Sequence, residues 1–256
     1  VAPTVYDGGL LLTESAINYC SNPNVASTTD WISFSSVGGN SDGARVTDQL
    51  DMGPAVWRFR VLTYAPGDSY LTGHRATTEV AGLTGQITPS VLVKANRAIA
   101  LVTLQTRLYY TDTSVENTDL TGQVLPTDPT RIVFPSATIN AAKTLNQARG
   151  HIIPTTGTQT GDIIWTSKGQ IENKGYALPL FSGADGSGFA WTGAANASTS
   201  TRAASSASVT IAEPAAVACW YREAYSGAKT FAYLEPYGTL GTYGSIGWSG
   251  GTLTLS

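Results

Sequence analysis

Apolar and polar residues alternate with a period of two along several stretches of this chain. Between Ala55 and Tyr64, Trp57, Phe59 and Val61 fall on one side and Arg58 and Arg60 on the other. Between Ile99 and Tyr110, Val102, Leu104 and Leu108 oppose Gln105, Arg107 and Tyr109. Between Asp162 and Glu172, Ile163, Trp165 and Ile171 are set against Lys168, Gln170 and Glu172. Successive strand side chains point to opposite faces. Each segment therefore reads as a strand with one core face and one polar face, as in antiparallel sandwiches. Further strands are predicted at Trp31–Val37, Ala44–Leu50, Ile87–Ala95, Arg131–Ala137 and His151–Ile153. A single helical turn is expected only within Ile139–Arg149. Turn residues recur at roughly ten-residue intervals, the spacing of an all-β sandwich or barrel. Trp31, Trp57 and Trp165 are the expected core anchors.

The pattern changes near residue 182. Ser182 to Ser208 is rich in Gly, Ala, Ser and Thr, with only Phe189 and Trp191 able to pack. It reads as a linker or surface strap, pinned by Trp191. Beyond it, Ala207–Ala212, Ala215–Ala224, Lys229–Glu235 and Gly251–Leu255 read as four short strands. The predicted organisation is an N-terminal arm (1–12), a β-sandwich (13–181), a strap (182–205) and a small β module (206–256). So short a module buries little apolar surface alone, and it is expected to lean on the first domain or on neighbouring subunits.

Composition supports sheets. Of 256 residues 42% are hydrophobic, enough for a sizeable core, but only 13% are charged, against about 25% in ordinary soluble domains. Hydroxyls and small side chains take the place of Lys and Glu, which suits sheet faces better than helix surfaces. A net charge of −3 gives no phosphate-neutralising surface, so nucleic acid is not an expected partner. No apolar run approaches a membrane span. No signal-peptide pattern is expected at the N-terminus, although a secreted domain in mature form would look the same. Cys20 and Cys219 lie far apart and are read as free, buried thiols. A disulfide between them has no supporting signal.

Candidate chemistry is sparse. Gly247-Trp248-Ser249-Gly250-Gly251 matches the G-x-S-x-G elbow, but no helix, acid or histidine follows; a glycine-rich hairpin turn accounts for it. His74 and His151 lack a third metal ligand. Asp112, Glu116 and Asp119 gather three carboxylates, a calcium-type donor set, yet no EF-hand pattern accompanies them and they read as a solvated loop. The sequence brings no two carboxyls together for glycoside hydrolysis. No catalytic residue, metal site or cofactor is predicted. Sugars stack C–H faces on aromatic rings and exchange hydrogen bonds through their hydroxyls. A face carrying Arg58, Arg60, Gln105, Arg107 and Tyr109 is therefore a candidate glycan contact. A solvated face or a subunit contact would use the same residues.

Two patches carry a family resemblance. One is Gln170-Ile171-Glu172, Ala177-Leu178-Pro179-Leu180-Phe181-Ser182-Gly183, Ala190-Trp191-Thr192-Gly193 and Asn196-Ala197-Ser198-Thr199-Ser200. The other is Asn18-Tyr19-Cys20-Ser21-Asn22-Pro23 with Asp30-Trp31, preceded by the leader-like Leu10–Ala16. Gly85–Thr88 leading into Val91–Ala95 adds a central strand of the same kind. Together they resemble minor tail proteins of tailed phages infecting actinobacteria, which carry a carbohydrate-binding-module-like jelly roll. Asn24-Val25-Ala26 lacks the Glu that helps a structural calcium site in related modules, and Asp30 stands where a Gly is usual. The segments Ala218–Glu223 and Ile246–Leu253 also resemble, more loosely, the opening strands of a lectin-like sandwich. The resemblance implies an all-β protein: an antiparallel jelly-roll β-sandwich and a small C-terminal β module. It implies a non-enzymatic virion protein of the tail tip or a side fibre that adheres to host-surface glycan. Its partners would be other virion proteins and further copies of itself, a trimer being the natural expectation. Alternatives are a capsid decoration or head-fibre protein, or a carbohydrate-binding module of a secreted glycoside hydrolase.

Overall fold

Alternation does become strand in the computed structural model, which describes residues 4–6, 9–11, 15–35, 40–65, 70–155, 157–203, 229–234, 244–249 and 252–255. In chain order the strands are β1 (Thr4–Tyr6), β2 (Gly9–Leu11), β3 (Ala16–Asn18), β4 (Trp31–Ser35), β5 (Asn40–Val46), β6 (Val56–Thr63), β7 (Tyr70–Ala76) and β8 (Gln86–Ala95). There follow β9 (Ile99–Tyr110), β10 (Val115–Leu125), β11 (Thr130–Val133), β12 (Ala137–Thr138), β13 (Leu145–Ile153), β14 (Ile163–Glu172), β15 (Phe189–Trp191) and β16 (Ser200–Arg202). The last three are β17 (Lys229–Leu234), β18 (Gly244–Ser249) and β19 (Thr252–Leu255). The chain divides into two units, Val1–Ser208 and Val209–Ser256.

The first unit is an antiparallel jelly-roll β-sandwich. One sheet runs β10-β9-β13-β7-β4; the other runs β11-β8-β14-β6-β5, with β12 also on β8. The chain changes sheet repeatedly between β4 and β14. Val91, Val93 and Ile164 of the second sheet share a core with Val102, Leu104 and Ile152 of the first, together with Trp31, Trp57 and Tyr70. Ile87, Leu108, Leu145 and Ile171 centre a second apolar cluster. Each such side chain, fully buried, stabilises by roughly 1.5–3 kcal/mol. In the second unit β17, β18 and β19 form an antiparallel three-stranded sheet. The predicted strands 207–212 and 215–224 lie outside the described residues, as does Cys219.

Several expectations need correcting. Within Ile139–Arg149 there is no helix: β13 begins at Leu145. Its inward residues Ala148 and Gly150 are small, so the strand period was hard to see. A Cβ at Gly150 would meet His74, Phe134 and Pro89 at 2.9–3.0 Å, which is why that position has no side chain. The carboxylates Glu116 and Asp119 are not in a loop but on β10, the edge strand paired with β9. The strap is a hairpin, β15–β16, and β16 pairs in turn with β3 to make a three-stranded sheet. Trp191 does pack there, its ring sitting where a Cβ on Gly183 would have to go.

Trp165 also departs from expectation. It pairs with Arg58 on one side and Lys94 on the other, while its neighbours Ile164 and Thr166 face the core. A bulge explains the misreading. The β14–β8 register shifts between Ser167 and Gln170, and Lys168 takes φ 49°. One extra residue flips the parity, so Ile171 points inward although Ile163 and Trp165 point outward.

Candidate functional site

The two resembling motifs turn out to be structural staples. Asn18 is fully buried and spends its whole amide. Its Nδ2 donates to the carbonyls of Gly169 (3.1 Å) and Phe181 (3.3 Å), and its Oδ1 accepts from the amides of Cys20 and Ile171, both 3.0 Å. Asn22 closes its own loop: Nδ2 donates to the carbonyls of Ser27 and Thr29, and Oδ1 accepts from the Ala26 amide. The Trp31 indole donates to the Asn22 carbonyl at 2.9 Å. Asp30 accepts from Ser21 Oγ and lies 3.4 Å from Arg75 Nε.

The exit is stapled likewise. Past the bulge, Gln170 and Glu172 face outward, but the segment after β14 covers them and both are fully buried. Gln170 donates to the Leu178 carbonyl (3.1 Å) and accepts from the Phe181 amide (3.0 Å). Glu172 accepts from the Leu178 amide at 2.8 Å. Arg131 donates to the Leu178 carbonyl and, at 2.9 Å, to Ser90 Oγ. Burial pushes the Glu172 carboxyl up to about 6, against the pull of its hydrogen bonds and of Arg131 and Arg202. These residues hold the chain together, and nothing in their geometry suggests a ligand.

The five candidate glycan contacts do not share a face. Arg58 and Arg60 stand on the outer face of the second sheet with Trp165, whereas Gln105, Arg107 and Tyr109 stand on the outer face of the first. The sandwich separates the two sets. Arg60 pairs with Asp42 at 2.5 Å and Lys94 with Asp51 at 2.7 Å, so the cations around half-buried Trp165 are partly neutralised. Trp31 and Trp57 lie in the main core, 6% and 5% exposed.

The first sheet's outer face holds the denser group. Register places Arg75 beside Arg149 and Arg149 beside Arg107; His151 stands between Gly73 and Gln105. The Tyr109 ring lies under two guanidinium groups, Arg149 at 4.3 Å and Arg107 at 5.2 Å. Arg149 Nε donates to Gln147 Oε1 at 2.6 Å, and Gln105 Nε2 donates to Asp119 Oδ1 at 2.9 Å. That second bond turns Gln105 Oε1 toward His151, whose Nδ1–H approaches it at 3.4 Å. Burial, then Arg149, Arg107 and His74, bring His151 down to about 3, so its ring is neutral. Its Nε2 is buried and has no partner among the described residues, and the same holds for Arg107 Nε. Arg75, Gln147 and Arg149 were missed from the sequence, and His151 was weighed there only as a metal ligand. On β13 the signal was the alternation Gln147-x-Arg149-x-His151, whose first two members the helical reading of Ile139–Arg149 obscured; Arg75 lies on β7, where no strand was predicted.

Other candidates resolve into ordinary roles. His74 is buried in the core, its Nε2–H directed at the Gln170 carbonyl at 3.3 Å, and burial lowers it to about 4. Asp112 caps its turn through Ser114, and Glu116 accepts from Tyr110, Asn140 and Lys143. Cys20 is free and buried, its thiol pushed well up by burial and by Asp30. Ser249 ends β18 and pairs with Thr252 across a hairpin whose residues 250 and 251 lie outside the described residues. Among the described residues no three His, Cys, Asp or Glu side chains gather to hold a metal, and no helix is long and apolar enough to cross a membrane.

No protein-family model and no curated protein matches the chain. Among solved structures, the chain is similar to the enzymatically active domain of tailspike protein 4 of bacteriophage CBA120 (TM-score 0.42, 10% identity, 60% of this chain and 21% of that one). It is similar to a family 11 carbohydrate-binding module of Clostridium thermocellum in complex with a β-1,3-1,4-mixed-linked tetrasaccharide (TM-score 0.42, 8% identity, 64% and 98%). It is also similar to the CBM22-1 xylan-binding domain of Paenibacillus barcinonensis Xyn10C (TM-score 0.39, 11% identity, 63% and 94%). The matched part thus spans about a fifth of the tailspike chain. None of these similarities carries a residue or a ligand over to this chain.

Proposed function

We propose that this chain is a non-enzymatic adhesin of a phage tail whose sandwich binds glycan on the outer face of β9 and β13. The observation behind the reading is the Tyr109 cluster. One aromatic ring, two guanidinium groups over it, and the amides of Gln105 and Gln147 stand on one sheet face. Planar donors and amides match sugar hydroxyls, and a sheet holds them at fixed spacing. The virion role rests on the two sequence patches, whose residues the staples employ: Asn18, Asn22, Asp30, Gln170 and Glu172. Association with itself, as a trimer, and with other virion proteins belongs to the same reading. So does the choice of tail over capsid.

The test is glycan-array binding by the full chain, repeated with Gln105→Ala and Tyr109→Ala. Binding lost in both variants without loss of fold supports the site. Binding that survives both but is lost in Trp165→Ala would move it to the other sheet. Sedimentation of the purified chain, and labelling of intact particles with an antibody to it, test the oligomer and the tail.

A further inference from the structure

We infer that the outer face of the first sheet takes an acidic saccharide, one carrying carboxylate or phosphate groups along its chain, held by the row Arg75, Arg149, Arg107. This rests on the glycan-binding reading and narrows it to a charge class.

Three arginines stand directly side by side on β7, β13 and β9. Neighbouring strands lie about 4.8 Å apart, and like charges directly opposite each other destabilise a sheet. The chain carries this arrangement although its net charge is −3, so the positive row is a local feature rather than a bulk one. Compensation within the chain is thin. Of the three, only Arg75 has an ion pair among the described residues, to Asp30 at 3.4 Å. The acid on the same face, Asp119, is taken by Gln105. Arg149 feels both neighbours: burial first, then Arg75 and Arg107, pull it below the ordinary arginine range, while Tyr109 supports its charge. His151 adds no positive charge. Its buried Nε2 has no partner among the described residues, and neither has Arg107 Nε, one pair further along the same face.

Guanidinium forks match carboxylate and phosphate oxygens two by two. Anionic groups spaced along a saccharide would remove the repulsion and take up the idle Arg107 Nε–H, while a sugar hydroxyl, which an anion alone lacks, would donate to His151 Nε2. A single-stranded nucleic acid also supplies phosphates, but its bases are held by stacking on open aromatic faces. Here Arg149 lies over the Tyr109 ring at 4.3 Å, so the face offers hydrogen bonds rather than a stacking platform.

The experiment is calorimetric titration of the full chain with four probes: an oligogalacturonate, a glycerol-phosphate oligomer, xylohexaose and an oligo-dT. Parent, Arg107→Gln and Arg149→Gln are compared. One or both acidic probes should bind, and the two together tell carboxylate from phosphate. Affinity should fall as salt rises from about 50 to about 500 mM. Each variant should weaken binding about tenfold; Arg107→Gln should not lower the melting temperature, because it removes repulsion, whereas Arg149→Gln also gives up the contact with Tyr109 and the bond to Gln147. Salt-insensitive binding of xylohexaose that both variants retain would overturn the acidic class yet leave glycan adhesion standing. Equal or tighter oligo-dT binding would overturn the saccharide. Binding of none of the four would overturn the inference; if a glycan array is then also blank, the adhesion reading falls with it.

Discussion

Asn18 is the sharpest place to test how this sandwich is closed. Its side chain joins three separate stretches: its own loop through Cys20, the bulged end of β14 through Gly169 and Ile171, and the exit segment through Phe181. Asn18→Ala strands two carbonyls and two amides in a site with no exposure. Each hydrogen bond is worth about 1 kcal/mol net, and a buried group left without a partner costs about 1–3 kcal/mol. Because one side chain serves all four, the terms do not simply add; a loss of about 3–5 kcal/mol is expected. Asn18→Asp should do no better, because it keeps the acceptor but sets an oxygen against two carbonyls. The assay is urea unfolding of the full chain, followed by tryptophan fluorescence, alongside amide exchange at Ile171 and Phe181. The neighbouring Ile17→Ala, at a side chain 41% exposed, serves as control and should cost under about 1 kcal/mol. If Asn18→Ala matches that control and the Ile171 amide stays protected, the staple is not what closes the sandwich.

Trp57→Ala should cost about 3–5 kcal/mol and Trp165→Ala under about 1.5 kcal/mol, since only the first is enclosed by core; equal losses in a thermal melt would contradict the register. Gly150→Ala should destabilise strongly, because three neighbours sit within 2.9–3.0 Å of the added carbon; an unchanged melting temperature would count against the close packing around His74. The histidines set the acid limb. Their folded values, about 4 for His74 and about 3 for His151, lie below the ordinary 6.5. Their stability, of order 3–5 kcal/mol each, is therefore present above pH 6.5 and drains away as pH falls toward those values. Glu172 has the opposite sign, raised from 4.5 to about 6. Its contribution of about 2 kcal/mol is present below pH 4.5 and lost as pH rises through 6. Glu172→Gln should accordingly gain on the parent only across that window; a pH-independent difference between the two would refute the assignment.

The sequence made some elements plain and hid others for identifiable reasons. β6 and β9 were legible because their inward positions are large and apolar: Trp57, Phe59 and Val61, then Val102, Leu104 and Leu108. β13 was not, because Ala148 and Gly150 leave no apolar period on its inner side. β10 was not, because an edge strand can turn Glu116 and Thr118 inward at little cost. Trp165 was misplaced by one bulged residue at Lys168, which no local pattern announces. The candidate site fared similarly. Alternation assigned Arg58 and Arg107 correctly to polar faces, but which sheet each face belongs to is decided by pairings between distant residues. The Asn18 and Gln170 motifs were visible as words; that they bond to one another's segments was not.

The pairing of β3 with β16 fixes how the first unit would yield under load. Ala16 lies opposite Arg202 and Asn18 opposite Ser200, so the backbone enters and leaves at the same end of that ladder. Tension applied through those two points opens the contacts one at a time, as a zipper does, instead of shearing all of them together. The hairpin would peel at modest force, paying out slack while Asn18 and the packed layers behind it stay shut. A tether that lengthens before its anchor breaks is a useful property in anything that must grip a surface and withstand a pull.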